Sequence, residues 1–186
     1  MRGIFAQRIG ARSGSEAADR LLRYALHRAK PNAPVPLLRS KMKSGKPYLP
    51  EYPDFHFSLS HSGIWAVCAV GEYPVGVDVE QVRELRRGVA ERWFSAEECA
   101  LLAQLPPDGF YQFWTLKEAA VKASGEGLAR GLSRARVTME QTPVILLEHF
   151  RAFPVAFPDK NYRLSLCLSR ADSDWTKEDL QVMIIE

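Results

Sequence analysis

The sequence predicts an α+β protein, and three observations carry that expectation. Phe55 to Ser60 and Val75 to Glu80 alternate apolar and polar residues, as half-buried strands do. From Ser15 to about Ala29, and from Phe110 to Ala123, apolar residues recur three and four apart, the spacing of a buried helix face. Strand-like and helix-like runs then follow one another in irregular order, without the strict alternation of a doubly wound sheet.

Composition bounds the class. The 186 residues are 46% hydrophobic and 25% charged, enough apolar material to offset the entropy of ordering the chain. Twelve Gly and twelve Pro occur without a Gly-X-Y period, which excludes a collagen-like chain. The length suits one domain, or two small ones folded against each other. Twenty-five basic against 22 acidic residues leave a net charge of +3, too small to name a partner by itself. Cys68, Cys99 and Cys167 are odd in number, far apart and set among apolar residues, so they read as buried free thiols. No run approaches the roughly 18 apolar residues of a membrane span, and Met1 to Phe5 precedes no signal-like apolar region; a soluble cytoplasmic protein is expected.

The elements are expected in this order. Gly3 to Ile9 reads as a short strand, and Ser15 as the cap of the first helix, whose stripe is Leu21, Leu22, Ala25 and Leu26. Lys30 to Pro53 holds six prolines and is expected to be loop. Phe55 to Ser60 is a strand, His61-Ser62-Gly63 its turn, and Ile64 to Val70 the returning strand. Gly71 to Pro74 connects to the alternating Val75 to Glu80. Ser95-Ala96-Glu97-Glu98 opens a helix as a capping box, and Pro106 to Gly109 closes it before the long helix from Phe110. Strand-like runs follow at Val137 to Glu140, Val144 to Phe150, Tyr162 to Leu168 and Val182 to Ile185.

Three segments carry chemistry. In Gly76-Val77-Asp78-Val79-Glu80 the valines share one strand face and the two carboxylates the other. Two carboxylates beside a Gly make a half-site for a hard cation such as magnesium, or simply a polar face in water. In the long helix, Trp114, Glu118 and Lys122 lie one turn apart on one stripe. Glu118 and Lys122 are then an exposed pair worth about 0.3–0.5 kcal/mol, or charges drawn to a metal or phosphate by their place beside a Trp. Ser58-Leu59-Ser60-His61-Ser62-Gly63 concentrates hydroxyls, a His and turn N–H groups, suited to a phosphate or to a purely structural hairpin.

Other readings fail on spacing. Ser60 and His61 are adjacent in an extended chain and point apart, and no nucleophile elbow surrounds them, so a hydrolase triad is excluded. Gly45-Lys46-Pro47-Tyr48 lacks the upstream Gly and downstream Ser/Thr of a phosphate loop, and Gly125-Glu126-Gly127 lacks the third Gly of a dinucleotide fingerprint. There is no Cys/His zinc pattern, and basic residues are dispersed without an aromatic platform for nucleic acid.

Together, Gly45-Lys46-Pro47, Phe57 to Trp65 (FSLSHSGIW), Gly76 to Glu80 (GVDVE), Arg92 to Glu98 (RWFSAEE) and Phe110 to Leu128 (FYQFWTLKEAAVKASGEGL) resemble the signature of the Sfp-type 4′-phosphopantetheinyl transferases. The resemblance is strong from Gly45 to Leu128 and loose in the flanks. It implies two similar α+β halves related by pseudo-twofold symmetry, residues 1–73 and 74–186, with the active site in the cleft between them. It implies transfer of the phosphopantetheine arm of coenzyme A to a serine of an apo acyl or peptidyl carrier protein, with adenosine 3′,5′-bisphosphate released. The cofactor implied is magnesium, with manganese as a substitute, held by Asp78, Glu80 and Glu118. By the same resemblance Ser60 and His61 contact phosphates, Lys46 and Pro47 line the adenine end, and Lys117 and Lys122 face phosphate. Glu118 or a metal-bound water takes the serine proton, Lys122 assists the departing phosphate, and Glu98 is left between a place near the metal and a simple cap. Members of this type usually carry a further leading segment that grips the 3′-phosphate; Arg20, Arg23, Lys41 and Lys43 are the replacements on offer. The expected partners are coenzyme A and a carrier protein, to both of which a net +3 is mildly complementary. The expected protein is a monomer without nucleic acid or membrane. A binding module without turnover and a generic metal-dependent phosphohydrolase are the competing classes.

Overall fold

The computed structural model describes residues 1–33, 38–84, 88–172 and 174–186, with the backbone alone at 128–130. β1 (Gly3–Arg8) leads into α1 (Gly14–Ala29). β2 (Ser40–Lys41) and β3 (Pro47–Tyr48) form a small hairpin, and β4 (His56–Ser62) and β5 (Trp65–Gly71) a longer one. After β6 (Val75–Gln81) come α2 (Val89–Trp93), α3 (Ala96–Leu102), α4 (Gly109–Ser124) and α5 (Leu128–Arg134). The chain ends through β7 (Val137–Met139), β8 (Pro143–Leu146), β9 (Phe150–Val155), β10 (Tyr162–Ser169) and β11 (Val182–Ile184). One sheet has the order β11-β1-β5-β4 and the other β6-β10-β9-β8-β7, so the protein is a mixed α+β fold with two sheets.

Apolar faces stack these elements in layers. Leu21, Leu22, Ala25 and Leu26 of α1 bury themselves on Phe5, Phe57 and Cys68 of the first sheet. The opposite face of that sheet, through Ile4, Val67 and Ala69, meets Val75, Val77 and Val79 of β6 and Leu164 and Leu166 of β10. On the far side of the second sheet, α4 buries Phe113, Leu116 and Ala119 with Ile145, Ala152 and Cys167. Each fully buried aliphatic side chain contributes roughly 1.5–3 kcal/mol. β11 returns from the end of the chain to pair parallel with β1, Val182 opposite Ile4.

Two local features bring the sheets and α4 together around β6. Along one edge of β6, the N–H groups of Val77, Val79 and Gln81 donate to the hydroxyls of Ser58, Ser60 and Ser62 on β4, at 3.0, 3.2 and 3.1 Å. The serine face of β4 therefore joins the sheets: Ser58 and Ser60 are buried and Ser62 half-buried. On the other side, Gly76 lets the α4 backbone approach so closely that a Cβ there would lie 1.9 Å from the Ala119 carbonyl oxygen.

Several expectations are corrected by the structure. The cap of α1 is Ser13, not Ser15: its hydroxyl accepts from Glu16 N and the Glu16 side chain answers to the Ser13 N–H. His61 and Ser62 belong to β4, and the turn falls at Gly63, whose φ of +54° suits glycine. The loop from Lys30 to Pro53 contains the two short strands β2 and β3, while Pro34 and Pro36 lie outside the described residues. The run Val144 to Phe150 is two strands meeting at a turn, with Phe150 opening β9. Pro154 hid that strand, yet it sits opposite Ser165 near the strand's end. The short helices α2 and α5 had no expectation attached.

Replacing Ser60 by Ala leaves the buried Val79 N–H without its partner and removes one of the donors to Asp78 Oδ1, and is expected to lower unfolding free energy by about 1–3 kcal/mol. Gly76→Ala forces overpacking against the α4 backbone and is expected to lower it by about 1–3 kcal/mol or more. Urea unfolding checks both; wild-type stability in either variant contradicts this account of β6.

Candidate active site in the β6–α4 cleft

The close approach at Gly76 sets α4 across β6, so side chains one turn apart on the helix reach the polar face of the strand. Asp78, buried on that face, accepts from Ser60 Oγ at 2.8 Å and from Lys122 Nζ at 2.7 Å, both through Oδ1. Lys122 Nζ also donates to the Val77 carbonyl at 3.2 Å. The second Asp78 oxygen is buried and has no partner. Two residues on, Glu80 Oε2 accepts from Ser62 Oγ at 2.6 Å. Glu118 lies on α4 one turn before Lys122, and its side chain makes no hydrogen bond among the described residues.

The electrostatics are those of crowded carboxylates. Burial, and then the nearby Asp78 and Glu80, push the Glu118 carboxyl up to about 7 against the pull of Lys122. Burial and Asp78 raise Glu80 too, with the Ser62 hydroxyl opposing. A hard cation relieves this repulsion and supplies a partner to the orphaned Asp78 oxygen, so the donor set, all oxygen, fits magnesium. Among the described residues, no three Asp, Glu, His or Cys side chains already converge at metal-holding spacing. Lys122 supplies the positive charge that Asp78 has in this structure.

A cavity of about 290 Å³ opens beside this cluster, with Lys46 and Pro47 on one wall and Glu118 and Lys122 on the other. Lys46 is bent inward: its Nζ donates to the Ala123 carbonyl at 2.8 Å, tying the β2–β3 hairpin to the last turn of α4. Burial lowers its pKa to about 8. Residues 74–178 match the family described as the 4′-phosphopantetheinyl transferase superfamily. The chain belongs to that superfamily. It is 34% identical to a 4′-phosphopantetheinyl transferase of Bacillus subtilis, over 83% of this chain and 73% of the relative. It is 37% identical to the 4′-phosphopantetheinyl transferase psf-1 of Bacillus pumilus, over 67% of this chain and 57% of the relative. With the 4′-phosphopantetheinyl transferase Sfp of Bacillus subtilis (strain 168) the identity is 32%, over 72% of this chain and 63% of the relative. The protein is thus an enzyme of the phosphopantetheinyl transferase superfamily.

Within this transferase fold the expected site residues do not all share one place. Asp78, Glu80, Glu118 and Lys122 are coupled in the cleft, and Lys46 and Pro47 wall it. Ser60 is committed on both sides, to Asp78 as donor and to the Val79 N–H as acceptor. His61 points to the opposite face of β4, as adjacent strand residues must, and packs against Gly14 at the start of α1. A Cβ at position 14 would lie 2.4 Å from its Nδ1. Lys117 faces away from the cleft: it is buried and ion-paired at 2.9 Å with Glu98, and donates to the Leu132 carbonyl. Of the replacements for a 3′-phosphate grip, Arg20 donates to the Glu186 carbonyl at 2.8 Å, and Lys41 and Lys43 are exposed.

Glu98 is the residue whose role the sequence left divided. Its Oε2 accepts from the Ser95 N–H and from Lys117, and its Oε1 from the Val137 N–H at 2.8 Å. One buried carboxylate so joins α3, α4 and β7, well beyond a helix cap. The signal available was a Lys on a buried helix stripe, which requires a partner. Removing one member strands a buried charge: Glu98→Gln or Lys117→Met is expected to cost about 3–5 kcal/mol, and the double variant less than the sum. Additive losses in a double-mutant cycle contradict the pairing.

Lys46 adds a pH dependence. Its native pKa lies below the ordinary lysine value, so the unfolded chain binds the proton more tightly. The native state carries the full penalty below about pH 8, and stability rises as pH climbs from about 8 towards the lysine value. The stability of the protein relative to Lys46→Met is therefore expected to improve between pH 7.5 and 10. A pH-independent difference contradicts the buried ammonium.

Proposed function

We propose that the protein transfers the 4′-phosphopantetheine arm of coenzyme A to a serine of an apo acyl or peptidyl carrier protein, releasing adenosine 3′,5′-bisphosphate. The observation that carries this reading is the Asp78–Lys122 pair between β6 and α4, with an unpartnered Asp78 oxygen, next to a cavity that Glu118 and Lys122 line. Magnesium, or manganese in its place, is assigned to Asp78, Glu80 and Glu118. When bound it neutralises charge on the pyrophosphate oxygens.

The chain's own groups do the rest. The serine Oγ bonds to the β-phosphorus while the bond from that phosphorus to the bridging oxygen breaks, and the electron pair leaves with the adenosine bisphosphate. Glu118, whose side chain makes no hydrogen bond among the described residues, takes the serine proton in this reading. Lys122 offers its charge to the departing phosphate. Lys46 and Pro47 wall the space assigned to coenzyme A, and His61, on the outer face of β4, is left for a phosphate outside the cleft. Two halves, residues 1–73 and 74–186, related by a pseudo-twofold axis, complete the proposal, with the protein acting as a cytoplasmic monomer.

The test is mass spectrometry of apo carrier proteins incubated with the protein, coenzyme A and magnesium. The expected product gains one phosphopantetheine on serine, and Asp78→Ala and Glu118→Ala abolish the gain while keeping the wild-type circular dichroism. No gain on any of several carriers, beside a working transferase as control, overturns the reading; full turnover in either variant overturns the site.

A further inference from the structure

In the Asp78–Lys122 pair one partner is fixed and the other can move. Asp78 is buried on β6 and is held from the β4 side by the Ser60 hydroxyl at 2.8 Å. Lys122 reaches it from α4 on a flexible four-carbon stem, and its side chain is 29% exposed against 5% for Asp78. Lys122 also lines the cavity of about 290 Å³, so its ammonium stands between the carboxylates and that space.

This ammonium already holds the place of a cation. Its Nζ donates to Asp78 Oδ1 at 2.7 Å and to the Val77 carbonyl at 3.2 Å, and its charge also draws on Glu80 and Glu118. Among the described residues no three metal-ligating side chains converge at metal-holding spacing; the acidic cluster meets a lysine instead. The buried Oδ2 of Asp78 has no partner, which leaves a divalent cation a point of entry on the same carboxylate. Once it enters, two cations share one buried carboxylate and repel each other. Of the groups involved, the lysine is the one free to give way. Leaving Asp78 costs Lys122 a charge-assisted hydrogen bond, and an anion in the cavity restores it.

We propose that Lys122 is a resident counter-ion, exchanged for the divalent cation at Asp78 and received by a phosphate in the cavity, so that cation and phosphate ligand bind cooperatively through this one side chain. The proposal rests on the transferase reading, which supplies that phosphate as the pyrophosphate of coenzyme A. A ligand shifts an equilibrium only by its differential affinity for the two states, and here cation and phosphate both favour the state in which Lys122 has left Asp78. Each therefore raises the affinity of the other by the same factor.

The experiment reads the exchange without turnover. Manganese binding is measured by electron paramagnetic resonance, with and without coenzyme A, on the wild-type protein and on Lys122→Met, which keeps a long stem and lacks the charge. Without coenzyme A the variant is expected to bind manganese about tenfold more tightly than the wild type, and coenzyme A is expected to tighten manganese binding about tenfold less in the variant. A lysine with a purely structural role predicts the opposite sign, because its loss loosens the site. In wild-type protein carrying isotope-labelled lysine, the Lys122 ammonium signal is followed by nuclear magnetic resonance as magnesium is added, and is expected to leave its hydrogen-bonded position in step with occupancy. Unchanged or weaker manganese binding in the folded variant overturns the proposal, as does a Lys122 signal that stays in place at saturating magnesium; if the variant does not fold, this second measurement decides. If the exchange is seen and no carrier protein gains mass, the transferase reading fails and the counter-ion stands. If carriers gain mass and the exchange is not seen, the counter-ion alone fails.

Discussion

The serine seam between β4 and β6 is the constraint on which the rest of the site depends. β6 borders its own sheet, and its outward N–H groups require partners once buried. Hydroxyls of Ser58, Ser60 and Ser62 supply them at every second residue, in step with the strand period. A direct backbone ladder would satisfy the same donors but would merge the two sheets. Because each hydroxyl both accepts and donates, Ser60 and Ser62 also reach Asp78 and Glu80. The same two serines thus join the sheets and orient the acidic pair.

Gly76 supplies the complementary constraint from the helix side. Without a side chain there, Ala119 and Ala123 of α4 rest almost backbone to backbone on β6. That depth sets Lys122 at 2.7 Å from Asp78 and places Glu118 where carboxylates crowd it. On the opposite side of α4, Glu98 and Lys117 hold α3 and β7 to the helix. The helix is fixed from two sides, so the cleft has one rigid wall.

Much of this was legible in the sequence. The alternation of Val75 to Glu80 places Asp78 and Glu80 together, and the i, i+4 spacing places Glu118 and Lys122 together, by periodicity alone. What periodicity withholds is the environment. The polar faces of β4 and β6 read as half-solvated, yet they are buried against each other and α4, because the partner of one polar face is another. For the same reason Ser60 serves the seam, while His61 falls on the opposite face from it. Lys117 and Lys122 are neighbours in sequence, but five positions turn a helix by more than a full turn, enough to send one to Glu98 and the other to Asp78. The Pro in β9 and the short α2 and α5 were illegible because tertiary packing, and not local propensity, decides them.

The central claim is that the seam and the helix together hold Asp78 as the anchor of a divalent cation. Manganese, as a magnetic stand-in for magnesium, tests it without any turnover. Electron paramagnetic resonance of the protein with coenzyme A is expected to show one tightly bound ion per chain. In Asp78→Asn, which keeps the size of the side chain, that binding is expected to be lost. Undiminished binding in the variant would contradict the account.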